Sequence, residues 1–562
     1  MSTLFVNGRI FQTGAAPTDD AIFHSAMVVK DGKVRHVGSE TDAEAQASKA
    51  EPGTTVYDLG GRTVLPGFVD GHVHLLALGY SLKKAPLEDC KTLEDIRTVI
   101  KNFAAEHPEY PRILCRNWMF SMTPGTVTAA MLDDLDPRPI YIESKDLHAT
   151  WCNTAALKDL GLWDNFGHEI KGGDQHRDPV TKQPSGLLSE AYVFDLVWPH
   201  LSQAASLDER IEALTAAVDA YTANGYTGVV DMALQEESLE AMLHYIENYK
   251  PSAGRGTNAQ APLRITAYWL VKPRPTEAEH IAQVDKAIEL MKKYGGGGRS
   301  HADGPLPSLR VVGIKIVCDG IVDACTAALS EPYGDSARTA ADAIWSREMV
   351  EPVVKHATEG GLQVALHAIG DAAITMAVDT IAKNPGQKLL RPRIEHLELA
   401  SADDARRLGE LGITASIQPV HADPAILRAW PALLGEHRCG RAFAYKDFSD
   451  SGAPIALGTD APTAPYEPLR NAYIATTRCS AREPDAADLP PVNPKFALTL
   501  CETLTAATRG AAYSVFADAE TGSLEAGKAA DFSVVDMAWD ATKLLDARID
   551  ETWYAGEQVY KA

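Results

Sequence analysis

The sequence predicts an α/β protein whose main unit is a parallel sheet or barrel, with a smaller β unit drawn from the two ends of the chain. Two patterns carry this expectation. Between residues 63 and 461, apolar strand-like runs alternate with amphipathic helical stretches, as βα repeats do. Both ends of the chain show short alternating runs punctuated by Gly, Asp and Asn turn signals. The 562 residues, 45% hydrophobic and 23% charged, have an ordinary globular composition and are long enough to bury a large core. Lys and Arg number 53 against 76 Asp and Glu, and the resulting charge of −23 argues against nucleic acid or an anionic membrane as partner. No run approaches the ~18 apolar residues of a membrane helix, and no basic leader precedes an apolar stretch, so a soluble, cytoplasmic protein is expected. The eight cysteines lie far apart without a CxxC pair, which disfavours zinc-ribbon and thioredoxin chemistry.

From the N-terminus, LFVNGRIF, AMVVKDGKVRHVG and TTVYDLGGRTV match in texture the final GSLEAGKAADFSVVDMAW and ETWYAGEQVY. One sheet domain built from 1–62 and 520–562 is the simplest reading. Eight strand-like runs follow, at 63–70, 227–232, 264–271, 309–317, 362–369, 391–399, 414–420 and 454–461. Helical stretches at 206–225 and 346–361 end at glycines suited to a C-cap. About 155 residues separate the first run from the second, where a βα unit takes roughly 30 or more. The barrel region 63–519 is therefore expected to carry an insertion at about 76–205, with its own strands at 112–118 and 138–144, covering the barrel mouth. The Gly295–Gly298 tetrad lacks the strand and lysine of a phosphate loop and reads as a surface loop.

The chemistry-bearing residues fall at strand ends. PGFVDGHVH places His72 and His74 two apart, so that in an extended strand both imidazoles face one side. A solvated polar strand end would look the same. The later runs add Lys315 in GIKIVCDG, His367 in ALHAIGD, His396 in IEHLEL and Asp460 in LGTDAP. In a βα barrel all strand C-termini open on one face, so these groups can meet around one cavity. Four histidines and an aspartate suit Zn²⁺ or a similar divalent ion better than Ca²⁺ or Mg²⁺. Lys315, inside an apolar run, needs a partner: either an ion pair with Asp319 or Asp460, or carbamylation by CO₂ into an anionic metal ligand.

These motifs, with KIVCDG, LHAIGDAA, RIEHLE, DLHATWCNTAAL, PSGLLSE and GSLEAGKAADFSVVD, resemble the amidohydrolase superfamily, in its N-substituted formamide deformylase-like branch, amidohydrolase family 3. The resemblance covers nearly the whole chain. It implies a distorted TIM (β/α)8 barrel, a composite β-sandwich from both termini and a hydrolytic centre of one or two divalent metals. By that resemblance His72, His74 and Asp460 hold one metal, His367 and His396 a second, and a carbamylated Lys315 bridges them. A metal-activated hydroxide would then attack a carbonyl, with Asp460 taking its proton and returning it to the departing nitrogen. Where mononuclear deaminases of the superfamily carry a Glu three residues after the fifth-strand His, this chain has Gly370, which favours an amide-like carbonyl over ring deamination.

Weaker expectations attach to further residues. His148, in the same recurring motif, is expected to donate a hydrogen bond to the substrate or oxyanion, or else to order the insertion. Trp118 and Trp151 offer an apolar substrate wall or plain packing, and His421 follows the seventh strand within reach of the cavity. Asp319 and Asp371 can orient a metal-holding imidazole by accepting its second N–H, and Asp371 can equally cap a helix. The expected function is hydrolysis of C–N bonds in N-formyl or other N-acyl amides. Carbamate, ester or cyclic-amide hydrolysis on the same centre remains open, as does a non-catalytic regulator on a hydrolase scaffold. The expected partner is a small-molecule substrate, with a homodimer left open.

Overall fold

The computed structural model describes residues 2–12, 21–123, 125–145, 149–163, 170, 173–177, 183–190, 192–250, 260–295, 307–334 and 342–562. The chain folds into two compact units, 1–75 with 218–562, and 76–217.

The first unit holds eight parallel strands: β1 (Phe68–Val73), β2 (Tyr226–Leu234), β3 (Arg264–Leu270), β4 (Leu309–Val317), β5 (Gln363–Ala368), β6 (Arg393–His396), β7 (Thr414–Ile417) and β8 (Ile455–Leu457). They pair in sequence order, with helices such as Arg347–Glu359 and Asp371–Ala382 in the connections, so the sheet is a TIM-like barrel. Its seam is the β1/β8 junction, where one parallel bridge joins Val73 to Ala461 and the Asp460 amide donates to the His72 carbonyl at 2.7 Å. Two glycines permit this approach. A Cβ at Gly71 would lie 2.6 Å from the Leu457 carbonyl oxygen, and one at Gly458 would lie 2.5 Å from the His72 nitrogen. Val69, Val230, Met232, Tyr268, Ala365 and Ala456 pack into one buried cluster with Ala511, Ala512, Val515 and Ala517.

The β-sandwich has a four-stranded sheet (Lys33–Gly38, Ala26–Lys30, Ser2–Val6, Thr55–Asp58) and a six-stranded one (Glu557–Lys561, Arg548–Tyr554, Phe532–Asp536, Thr63–Pro66, Arg9–Gln12, Ile22–His24). Phe5, Met27, Val29 and Val34 of the first share a core with Ile10, Val64, Phe532, Val534 and Trp553 of the second. The N- and C-terminal segments thus complete one core, with Phe532 and Trp553 stacked at 5.4 Å. One boundary moves. The run 63–70 is two strands, because Pro66 has no N–H to extend the ladder and Gly67 turns to donate to the Asp531 carbonyl. Thr63–Pro66 therefore belongs to the sandwich, which extends past residue 62, and the barrel begins at Phe68.

The second unit has a six-stranded mixed sheet ordered Gly173–Arg177, Pro184–Glu190, Ala149–Cys152, Ile140–Ser144, Ile113–Trp118, Ala85–Pro86. The helix Leu93–Glu106 crosses between the last two of these. It starts at a capping box, Thr92 accepting from the Asp95 amide while Asp95 accepts from the Thr92 amide, and it buries Ile96, Ile100 and Ala104. This unit ends at Ala217 rather than near 205, inside the continuous helix Leu207–Ala223. Among the described residues no helix is long and apolar enough to cross a membrane, and no disulfide links the cysteines.

Candidate metal centre

The C-terminal ends of β1, β5, β6 and β8 bring the predicted residues together. The His72 and His396 rings lie 5.0 Å apart, His367 and His396 4.3 Å, and His72 and His74 5.7 Å. Asp460 Oδ1 faces His72 Nε2 at 3.4 Å and His74 Nε2 at 3.1 Å. The backbone takes the left-handed conformation at His396 (φ 76°) and Asp460 (φ 58°), bending the chain sharply where β6 ends and after β8. Such conformations are uncommon in non-glycine residues and cluster at functional sites.

Buried polar groups set the orientation of these side chains. His72 Nδ1–H donates to Glu395 Oε2 at 2.8 Å, which leaves the Nε2 lone pair aimed at Asp460. Arg393, fully buried, donates to both oxygens of Glu395, to the Gly71 carbonyl at 2.6 Å, and to the Ser416 and Ser514 hydroxyls. Asp70 ties the seam, accepting from the His72 amide, the Thr459 amide, the Thr459 hydroxyl and the Tyr221 hydroxyl. Neither Glu395, Arg393 nor Asp70 was singled out by the sequence reading. The available signal was charge inside an apolar strand, as in RIEHLEL, since buried charges need partners.

The remaining predictions sort by geometry. Lys315 is 2% exposed yet makes no hydrogen bond and no ion pair among the described residues, so of its two alternatives the pair with Asp319 or Asp460 does not form. Asp319 instead accepts from the Ala328, Ile369 and Gly370 amides, which secures the turn after β5, and its Oδ1 stands 3.6 Å from His367 Nε2. Asp371 does not orient an imidazole. It opens a helix, and its carboxylate accepts from the Ser330 amide and hydroxyl. Trp118 and Trp151 form no substrate wall: both are 0% exposed in the core of the 76–217 unit, packed with Ile96, Ile113, Ile140 and Leu187. Asn153 caps the helix Thr154–Asp159 and holds the Ile140 amide. His148 lies outside the described residues. His421 does reach the centre, with Nε2 3.7 Å from Asp460 Oδ2.

Burial dominates the electrostatics. It pushes His72 down to about 4 and His367 down to about 3, each helped by the Lys315 charge, and it carries His396 well below the ordinary imidazole range. All three imidazoles are therefore neutral at pH 7, the form that offers a lone pair. Burial pushes Asp460 up, but the neighbouring His72 and His74 outweigh it and hold the carboxyl well below its usual range. Burial likewise lowers Lys315, favouring the neutral amine.

A consequence for stability follows with a definite sign. In the metal-free protein the unfolded chain protonates His72 below about pH 6.5 while the folded chain resists protonation down to about 4. Stability is then lost as pH falls from about 6.5 to 4, by roughly 3 kcal/mol for this residue. Urea unfolding with chelator at pH 7.5 and 4.5 should show a markedly smaller loss for His72→Gln than for wild type. An identical pH dependence in the two proteins would refute the assignment.

A family model described as "Amidohydrolase family" matches residues 55–560. The chain belongs to the amidohydrolase family. Among its amidohydrolase relatives, the N-substituted formamide deformylase of Arthrobacter pascens is 25% identical over 91% of this chain and 90% of its own length. Protein LONG AFTER FAR-RED 3 of Arabidopsis thaliana is 27% identical over 99% of this chain and 91% of its own. The crystal structure of an uncharacterized metal-dependent hydrolase from Pyrococcus horikoshii OT3 superposes with a TM-score of 0.77 at 23% identity, covering 96% of this chain and 98% of that one. Membership in the amidohydrolase family implies a divalent metal, and the donor set fits one. Ligand atoms of His72, His396 and Asp460 all lie within 4.8 Å of one another. Two buried atoms here, His396 Nδ1 and Asp460 Oδ1, have no hydrogen-bond partner among the described residues. Such orphans are costly unless something completes them.

Proposed function

We propose that this chain is a metal-dependent hydrolase of C–N bonds in N-formyl or other N-acyl amides, with Zn²⁺ as the metal. The observation that carries the reading is the buried set of His72, His396 and Asp460, with its two orphaned atoms at the barrel's C-terminal face. His72, His74, His396 and Asp460 would hold the ion, and His367 and Lys315 would extend the set if two are bound. When present, a divalent cation polarises a carbonyl and acidifies water.

The chain's own groups do the rest. Asp460, ionised at neutral pH, takes a proton from the attacking water at a carboxylate oxygen and delivers it to the departing nitrogen. Glu395 keeps the His72 proton on Nδ1, so that Nε2 stays available for the ion. Lys315, whose burial favours the neutral amine and which has no ion pair among the described residues, is poised for CO₂ addition: an N–C bond forms, one proton leaves, and the product is an anionic carbamate. The named activity of the Arthrobacter pascens relative supports the formamide class. Gly370 supports amide cleavage over ring deamination, since no carboxylate stands three residues beyond His367.

Two measurements test this. Elemental analysis of purified protein is expected to find one to two equivalents of a transition metal, and His72→Ala should lose it; a folded, active, metal-free wild type would end the proposal. A panel of formamides, N-acyl amino acids, carbamates and lactams should be cleaved chiefly at the first two classes. Lys315→Ala is expected to reduce metal content, and full content with full activity would remove its bridging role.

A further inference from the structure

We propose that His421, held by Glu398, is an additional ligand of the same metal centre. This rests on the hydrolase reading above and extends its ligand set beyond the residues taken from strand-end motifs.

Asp460 is bracketed on both sides by the same device. On one side, His72 donates Nδ1–H to the buried Glu395 and turns Nε2 toward Oδ1 of Asp460 at 3.4 Å. On the other, His421 donates Nδ1–H to the buried Glu398 at 3.3 Å and turns Nε2 toward Oδ2 of Asp460 at 3.7 Å. Both supporting carboxylates come from one stretch, RIEHLEL, on either side of His396. A carboxylate accepting the far N–H of an imidazole is the usual support of a metal-holding histidine, because it sets the tautomer and the ring orientation.

The His421 ring is also parallel to that of His396, 5.8 Å away at an interplanar angle of 5°. Donor atoms of His396, Glu398 and His421 lie within 4.8 Å of one another, a second cation-sized set that shares His396 with the first. The orphaned His396 Nδ1 belongs to the residue common to both.

Charge points the same way. With Nδ1–H committed to Glu398, Nε2 of a neutral His421 offers only a lone pair, and Oδ2 of Asp460 opposite it also offers only lone pairs. Two acceptors facing each other in a buried site repel unless a cation stands between them. A divalent ion supplies that positive charge. Glu398 is 6% exposed, so it has little water to turn to if His421 swings away.

The test is Co²⁺ binding to the full-length chain, followed by calorimetric titration and by the visible spectrum of the bound ion. His421→Ala and His421→Gln, checked for folding by circular dichroism, are expected to lose one equivalent of Co²⁺ or at least tenfold in affinity, with an altered ligand-field spectrum. Glu398→Gln is expected to weaken binding by about 10- to 100-fold with the spectrum largely kept, as removal of a supporting carboxylate does. The inference is overturned if either folded His421 variant binds Co²⁺ with wild-type stoichiometry, affinity and spectrum, including the case where only KM rises. A wild type that binds no Co²⁺ would instead overturn the hydrolase reading itself, so the two failures are distinguishable.

Discussion

Asp460→Asn is expected to lower kcat by about 10³-fold while the protein remains folded, which is the scale of a lost general acid–base group. The substitution is nearly isosteric, and the seam uses the backbone of this residue rather than its side chain. The Asp460 amide donates to the His72 carbonyl, and its carbonyl accepts from the Thr463 hydroxyl, neither of which the change touches. What disappears is a negative charge at the point where His72, His74 and His421 converge. Metal affinity should fall as well, so kcat is to be measured at saturating metal, where loss of binding and loss of proton transfer separate. Retention of wild-type kcat under those conditions would refute the role of Asp460 in proton transfer.

Glu395→Ala is expected to destabilise the protein by about 3–5 kcal/mol, the usual cost of removing one partner from a buried ion pair. Arg393 and Glu395 both have 0% exposed side chains, so the abandoned guanidinium cannot recover hydration. Its remaining acceptors, the Gly71 carbonyl and the Ser416 and Ser514 hydroxyls, are neutral and do not offset its charge. His72 also loses the acceptor that sets its tautomer, so metal affinity should drop with stability. The double substitution Arg393→Met with Glu395→Leu, which removes both charges, should recover a large part of the stability but not the metal affinity. Urea unfolding of the three proteins measures the first, Co²⁺ titration the second. A Glu395→Ala protein within 1 kcal/mol of wild type would show that the pair is not the anchor of this wall.

The eight barrel strands were legible because buried parallel strands are short apolar runs between amphipathic helices, and both patterns are local. The convergence of the candidate donors was legible for a related reason. His72, His367, His396 and Asp460 are polar residues that end apolar runs, and the barrel's topology carries every strand end to one face. The error at 63–70 came from the same locality. TVLPGFVD is uniformly apolar and reads as one strand, while hydrogen bonding to Phe532–Asp536 on one side of Gly67 and to β2 on the other divides it between two sheets.

Other features depend on contacts between residues far apart in the chain. Trp118 and Trp151 have the composition of a substrate wall, and only the packing around them shows that no face is left for a ligand. Asp371 sits beside a metal-centre strand, but its carboxylate turns to Ser330. Glu398 and Glu395 lie on either side of His396 in a run that gives no hint which of them meets His72 and which meets His421.

The sequence by itself determined the βα order, the two-ended sandwich and the strand-end donors, because hydrophobic period and chain order are one-dimensional properties. The tertiary structure alone decided which buried carboxylate supports which imidazole, that Lys315 lacks an ion pair among the described residues, and that His421 is held between Glu398 and Asp460. Those outcomes turn on distances of 3–4 Å between strands tens or hundreds of residues apart, where electrostatics is set by burial and not by neighbours in the chain.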